Sequence, residues 1–249
     1  MTRDESTAFL IATVVFFTVT YVTALVCGYF VQYHELKANY SRKIGHFLTI
    51  GVPWGLQHAL GLDQNMLAVV LAAMVTPTHL LLFIRPIRDR VPLVATMFRS
   101  LDRPEDRPHT LTWLLTQYVA VYVVFLLVYA VLLWRGAAVW MTIAIVINVI
   151  GDGLAEPVGV AFGRHAYTCR AIFSRRTYQR TLEGSLCVLL CGVICIALLR
   201  HEFQPRQFWI ALAVIPLSAT IAEACSPHTW DAPFLFLVVG AELVLLTFI

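Results

Sequence analysis

Charged residues are scarce in this chain of 249 residues, of which Asp, Glu, Lys and Arg together make up only 13%. Apolar residue types contribute 59%, and the mean hydropathy is +0.75. A single water-facing shell cannot cover that much apolar material. The composition therefore excludes an ordinary water-soluble globular protein.

The six cysteines do not form a disulfide framework. Cys27, Cys187, Cys191 and Cys195 fall inside long apolar runs, and the last three recur at helical spacing. No histidine stands beside that stripe, so we interpret it as small residues at a helix contact and not as a metal site. Internal repeats, low-complexity segments and linkers are also lacking, and we expect a single integral membrane domain over 1–249.

Long apolar runs dominate the sequence instead. A helix that crosses a bilayer needs roughly 17 to 25 predominantly apolar residues, and eight runs of suitable length are present. The first run lacks the basic flank and the small-residue cleavage site of a signal peptide, so we expect it to be retained. The sequence predicts an all-α, polytopic bundle of about eight transmembrane helices over 7–31, 44–62, 66–84, 110–134, 137–155, 183–199, 207–224 and 232–249.

Arginine and lysine gather on one side of this predicted topology. Of the 18 basic residues, 14 lie in the loops that eight spans place on one face. By the positive-inside rule that face is cytoplasmic, and both termini lie outside. Within one of these loops, "VPLVATMFRSL" is either a solvated connector or a short amphipathic helix at the membrane surface. The predicted cytoplasmic loops are 32–43, 85–109, 156–182 and 225–231.

The stretch "NVIGDGLAEPVGVAFGRH" closes a predicted span and carries two acids and four glycines. Asn148, Asp152 and Glu156 are spaced four apart, so in a helix their side chains project from one face. Such oxygen ligands suit Mg²⁺, which proteins hold with one or two carboxylates plus substrate phosphates. An unpaired acid at the end of an apolar run costs about 2.5–3.5 kcal/mol, which argues against a helix end whose acids only face water.

The next stretch, "RHAYTCRAIFSRRTYQRTLEGS", has five arginines and no acid before Glu183. Arginine forks match phosphate oxygens, so the segment is predicted to hold the phosphates of a nucleotide. The alternative is attraction to lipid head groups. Thr181 is placed to cap the following helix, whose first backbone N–H groups are a usual place for an anion. The predicted phosphate ligands are Arg175, Arg176, Arg180, Gly184 and Ser185.

Further polar residues lie at other predicted membrane edges. Arg42 and Lys43 precede the second span, and His46 lies one turn inside it. These basic residues are either topological anchors or part of a phosphate site. Glu223 lies inside the seventh span and is a candidate functional residue by default. Asp231, in the last cytoplasmic loop, is equally a candidate turn or helix cap.

Together, "SRKIGH", "GDGLAEPVGVAFGRH", "RRTYQRTLEGS" and "AEACSPHTWDAPF" resemble the membrane-embedded polyprenol kinase family, which includes dolichol kinase, phytol kinase and CTP-dependent diacylglycerol kinase. The resemblance covers most of the chain from Arg42 to Pro233. The family's basic pair and histidine, its Asp-x-x-Ala-x-x-x-Gly motif and its Glu-Gly-Ser match Arg42, Lys43, His46, Asp152, Ala155, Gly159, Glu183, Gly184 and Ser185. The chain departs from many relatives where Asp231 is followed by Ala232 instead of Asn.

The resemblance implies transfer of the γ-phosphate of CTP to the hydroxyl of a lipid alcohol, such as phytol, dolichol or another polyprenol, at the cytoplasmic face. Such a transfer needs mostly charge neutralisation and alignment, which Mg²⁺ and arginines supply. Asp152, with Asn148 or Glu156, is the expected metal ligand. The candidates for the base that receives the alcohol proton are Asp152, Glu183 and His46.

Two other functions compete with this one. A CTP-dependent phosphatidate cytidylyltransferase also has acidic, glycine and basic clusters, but its His-Gly-Gly and Asp-Arg-x-Asp signatures are lacking here. A small-solute transporter would use the broken helix near "GDGLAEP" to bind its cargo, but no inverted repeat is visible. The expected partners are CTP, a lipid alcohol and membrane lipids, with no nucleic acid. The expected location is a bacterial inner membrane, the endoplasmic reticulum or a plastid.

Overall fold

Helices form most of the fold, as the apolar composition predicts. The computed structural model describes residues 1–62, 65–170, 177–227 and 230–249. Its α-helices are α1 (Arg3–Tyr33), α2 (Ala38–Ala59), α3 (Met66–Val75), α4 (Arg85–Arg88), α5 (Pro92–Arg99), α6 (Thr110–Trp134), α7 (Met141–Val146), α8 (Gly153–Phe162), α9 (Leu182–Leu198), α10 (Pro205–Cys225) and α11 (Asp231–Leu246). Short 3₁₀ helices cover Thr76–Phe83, Pro104–Asp106, Ala138–Trp140 and Arg200–Glu202, and a π-helix covers Ile147–Asp152.

Several of these helices have the length and composition of membrane spans. Among the described residues, five helical stretches are long and apolar enough to cross a bilayer, namely Arg3–Tyr33, Met66–Phe83, Thr110–Trp134, Ala138–Phe162 and Pro205–Cys225. This confirms the helical membrane class. The other three predicted spans, 44–62, 183–199 and 232–249, fall largely on α2, α9 and α11. The count of eight spans stays a prediction.

The chain divides into two compact units, Met1–Val119 and Ala120–Ile249. In the first unit α5 packs against α1, and it buries Val94, Met97 and Phe98. The helical interpretation of "VPLVATMFRSL" is therefore confirmed; Val94, Met97 and Phe98 pack on protein, whereas Leu93 is exposed. Helices α1 and α5 approach so closely that a Cβ atom at Gly28 would collide with the carbonyl group of Thr96.

The second unit is built around α9, which contacts α7, α8, the π-helix and α10. Gly192 lets α9 approach Pro216 of α10, and Cys191 lies against Gly151 and the carbonyl of Val146. Cys191 thus lies at a helix contact, as predicted for the stripe, and all six cysteines are free thiols. The buried apolar core of this unit includes Ile147, Val188, Ile196, Ile215, Leu235, Phe236 and Val239.

A β-hairpin lies between α8 and α9, within the range predicted as the loop 156–182. Strands β1 (Ala166–Arg170) and β2 (Thr177–Thr181) pair antiparallel, with Tyr167 opposite Arg180. Their half-buried residues alternate with exposed ones, the period-2 pattern of a ribbon with one face on protein. Apolar run length, on which the span predictions rest, cannot detect strands of five residues. The all-α class therefore needs this one amendment.

Helix α9 approaches the backbone of α8 closely at Gly184. A Cβ atom at this position would lie 2.6 Å from the carbonyl oxygen of Ala155. We expect Gly184→Ala to destabilise the protein by about 1–3 kcal/mol through overpacking. Gly55→Ala on α2, where nothing lies within 4 Å of the added Cβ, is the matched control and is expected to be neutral or slightly stabilising. Thermal unfolding in detergent compares them; equal stability of the two variants would contradict the contact.

Candidate functional site

The predicted metal-binding residues follow one another along the π-helix and α8. Asn148 and Asp152 lie on the π-helix and are buried, with 0% and 3% of their surfaces exposed. Glu156 lies one turn further on, in α8, and is half-buried. The sequence predicted one uninterrupted helical face, whereas the structure inserts a wider π turn between the first two residues. Such turns recur at functional sites because they re-aim side chains.

Arg180 on β2 is held by a buried acid of α10. Its Nη1 lies 3.2 Å from Oε1 of Glu223, and its Nη2 donates to the Glu223 carbonyl oxygen at 3.4 Å. The Glu223 side chain is 3% exposed and the Arg180 side chain 28%. Arg180 Nε is also buried and has no hydrogen-bond partner among the described residues. The pair therefore fixes the hairpin on α10 and leaves one donor of the guanidinium unused there.

Three carboxylates act on this one guanidinium. Burial by itself lowers the pKa of Arg180, but the negative charges of Glu223, Asp231 and Asp152 offset that effect and leave the pKa raised above its ordinary value. Arg180 is thus held in its charged form. The cluster of these four side chains has more acidic than basic members, an environment that attracts a divalent cation.

A cavity of about 250 Å³ adjoins this cluster in the second unit. Thr181 and Gln179 of β2 line it beside residues of α8, α9 and α10. The structure brings six predicted site residues together on its wall, namely Glu156, Gly159, Arg180, Gly184, Ser185 and Glu223. Glu156 and Glu223, which are 67 positions apart in sequence, therefore line the same cavity.

The start of α9 has the predicted cap. The Thr181 side-chain oxygen accepts the Gly184 N–H at 3.2 Å, which confirms Thr181 as the N-cap. That amide is consequently used within the protein, and it is not a spare donor for an anion as the sequence suggested. The Ser185 hydroxyl hydrogen-bonds the hydroxyl of Tyr167 at 2.6 Å, which ties β1 to α9.

Glu183, a candidate base, has a structural partner. Its Oε1 lies 2.8 Å from Nδ1 of His165, and its Oε2 accepts the His165 backbone N–H at 3.4 Å. The Leu182 N–H in turn donates to the His165 carbonyl oxygen at 3.0 Å. These bonds join the end of the hairpin to α9. Glu183 is not part of the cavity wall, so its geometry favours a positioning role.

The basic residues of α2 belong to the first unit. Because α2 begins at Ala38, Arg42 and His46 lie one turn apart on one helix and share a face, as expected for a helix that starts early. Arg42 Nη1 pairs with the buried carboxylate of Asp106, which Arg103 Nε also contacts at 2.8 Å. Lys43, the next residue after Arg42, is half-buried. Arg42 therefore has at least a structural role.

Arg175 and Arg176 lie outside the described residues, and their predicted phosphate contacts stay predictions. Within the described ranges, no three side chains of His, Cys, Asp or Glu form a preformed metal site. The donors that fit a metal are the Asp152 carboxylate, the Asn148 amide and the Glu156 carboxylate, which match the oxygen chemistry that Mg²⁺ prefers.

Comparison of the chain with protein-family models, curated proteins and solved structures finds no match. The resemblance to polyprenol kinases thus depends on the quoted motifs alone.

Sequence reasoning missed a cysteine pair beside the site. Cys169 on β1 and Cys225 at the end of α10 have sulfur atoms 2.8 Å apart. They are 56 positions apart, and no spacing signal connects a strand residue with the end of a distant helix. The pair shows that β1 as well as β2 lies against α10.

This proximity predicts selective oxidation. Diamide, which accepts two electrons and two protons, is expected to convert Cys169 and Cys225 to a disulfide, since the thiols are already within reach of one another. Peptide mapping under non-reducing conditions measures the cross-link. Cys187 and Cys191, on successive turns of α9, are the internal control and are expected to stay reduced. Full alkylation of Cys169 after diamide treatment would contradict the placement of the hairpin.

Proposed function

We propose that this protein is a membrane-embedded lipid-alcohol kinase, which transfers the γ-phosphate of CTP to the hydroxyl of an isoprenoid or related lipid alcohol. The observation that carries the proposal is the Arg180–Glu223 ion pair on the wall of a cavity, with the charges of Asp152 and Asp231 acting on the same guanidinium. Phosphoryl transfer requires opposite charges of this kind close together, because a metal and cationic side chains share the phosphate charge.

Each described residue of the cluster has a proposed role. Asp152, with Asn148 or Glu156, binds Mg²⁺, which supplies charge neutralisation on the phosphates when bound. Arg180 uses the face of its guanidinium that Glu223 leaves available to bind a phosphate oxygen. Asp152, Glu183 and His46 stay the candidate bases; Glu183 bonds His165, and His46 lines a cavity of the first unit.

The proposed topology has eight spans with both termini outside. Its support is the distribution of basic residues together with helices at all eight apolar runs. In this topology the hairpin and the cluster around Arg180 lie at the cytoplasmic face, where a soluble nucleotide is available. The alcohol reaches the site from within the bilayer.

The test is an assay of the purified protein with phytol, farnesol and dolichol, and with phosphatidate for the competing function, against each of the four nucleoside triphosphates. Transfer of label from γ-labelled CTP to lipid, with release of CDP, supports the proposal. Release of pyrophosphate with a cytidylated lipid indicates a cytidylyltransferase instead. Absence of both products with every pair of substrates contradicts an enzyme of either kind.

A further inference from the structure

A second cavity, of about 70 Å³, lies inside the first unit. Residues of α1, α2, the 3₁₀ turn after α3 and the first turns of α6 surround it. Leu80, Phe83 and Leu114 form an apolar part of its wall, and His79 and Thr20 are among the polar side chains. A space of that size holds a few water molecules or the head of a small polar group.

His79 presents an unused acceptor in this cavity. The residue is 3% exposed, and its Nδ1 lies 2.6 Å from the carbonyl oxygen of Thr76. Because a carbonyl oxygen only accepts, Nδ1 carries the proton, and Nε2 of the neutral ring is an acceptor. In the part of the chain that the structure describes, no donor reaches Nε2. An acceptor on a cavity wall favours an occupant that supplies an O–H or N–H.

Thr20 presents a second unused group. It is 8% exposed, and its Oγ1 is buried without a hydrogen-bond partner among the described residues. Phe16, one turn earlier on α1, packs edge-on against the His79 ring with 5.8 Å between centroids. Thr20 therefore lies on the face of α1 that is turned towards His79. A hydroxyl is both donor and acceptor, so one bound hydroxyl group can serve both residues.

Several other polar groups on the wall are already used. The Tyr118 hydroxyl donates to Thr49 Oγ1 at 2.8 Å, and Thr49 Oγ1 donates to the Gly45 carbonyl oxygen at 2.9 Å. The charge of Arg42 is paired with Asp106. Thr20 and the neutral His79 ring therefore offer uncharged hydrogen bonding beside apolar walls, which suits an uncharged amphiphile.

We propose that this cavity binds the hydroxyl group of a lipid alcohol, whose O–H donates to His79 Nε2 and whose oxygen accepts from Thr20 Oγ1. The apolar wall contacts the first carbons of the chain. The choice of a lipid alcohol as ligand rests on the proposed function, whereas the two hydrogen bonds rest on the cavity itself.

The experiment measures binding of radiolabelled farnesol to the full-length protein in nanodiscs, with farnesyl methyl ether as competitor. Thr20→Val is expected to weaken farnesol binding about fivefold, the ratio that corresponds to one net hydrogen bond of about 1 kcal/mol. Thr13→Val is the matched control, because Thr13 lies on the same helix outside this cavity and donates to the Phe9 carbonyl oxygen. His79→Phe keeps the ring contacts, removes the acceptor and is expected to weaken binding about tenfold. Since it also removes the bond to Thr76, thermal unfolding accompanies it.

The outcomes separate this site from the proposed function. Equal binding of farnesol and its methyl ether, with no change in Thr20→Val, shows that the hydroxyl group is not recognised in this cavity and overturns the site. Phosphorylation of farnesol with an unchanged KM in Thr20→Val and His79→Phe also overturns it, while the kinase assignment stands. Binding with the expected pattern, but without phosphoryl transfer from any nucleotide, confirms the site and contradicts the kinase assignment.

Discussion

Replacement of Arg180 with methionine is expected to lower the free energy of unfolding by about 3 kcal/mol, the cost of breaking a buried ion pair by removing one partner. Glu223 is almost fully buried, and it loses the guanidinium that offsets its charge. We take the lower end of the range because Arg180 is partly exposed and water screens it. Chemical or thermal unfolding in detergent measures the loss.

A double variant separates the structural role of this pair from its chemical role. Arg180→Met/Glu223→Leu removes both charges, and replacing a buried pair by apolar residues is often neutral or stabilising. We therefore expect most of the lost stability to return. Phosphoryl transfer is not expected to return, because the triphosphate still lacks its arginine. A double variant that is both stable and fully active would show that Arg180 only holds the hairpin.

Arg180→Lys refines this test. A lysine keeps the positive charge beside Glu223 but lacks the planar fork that binds two oxygens. Stability close to that of the original protein is expected, together with a higher KM for the nucleotide. An unchanged KM for the nucleotide in this variant would place the triphosphate away from Arg180.

The fold could be predicted to the extent that apolar run length determines it. Helices occur at all eight apolar runs, and the Thr181 cap follows from local chemistry at the start of α9. The hairpin could not be predicted in this way, since Tyr167 and Arg180 pair through backbone bonds between segments with no apolar run. The π-helix at Ile147–Asp152 was also missed, because its sequence continues the helical pattern on either side.

The site could be predicted residue by residue but not in its pairing. The sequence identified Arg180 and Glu223 as separate candidates, and the structure joins them at 3.2 Å across 43 positions. It identified Gly184 as an anion donor, whereas the amide caps its own helix. His79 was missed because an isolated histidine in an apolar run is not a motif. The role of its Nε2 as an acceptor becomes evident only from the contact between Nδ1 and the carbonyl oxygen of Thr76.

Asp152→Asn is expected to reduce phosphoryl transfer by at least about a hundredfold, since loss of a residue that orients a metal ligand already costs about 10–100-fold. The change removes a charge with little change in volume. Asp152 is 3% exposed and its charge acts on Arg180, so the free energy of unfolding of the variant is measured beside its activity. Loss of activity without loss of stability is thus the signature of a functional carboxylate.

The dependence on magnesium distinguishes a metal ligand from a base. If Asp152 binds Mg²⁺, the Mg²⁺ concentration for half-maximal rate rises in Asp152→Asn, and part of the activity returns when the metal is raised. A residue that only accepts the alcohol proton would lower the rate equally at every Mg²⁺ concentration. Glu202→Gln is the control, because Glu202 lies on an exposed turn of the same unit and pairs with His201. Activity in Asp152→Asn equal to that of Glu202→Gln would contradict Asp152 as a metal ligand. The acidic side chains near Arg180 would then not be explained by the binding of a metal ion.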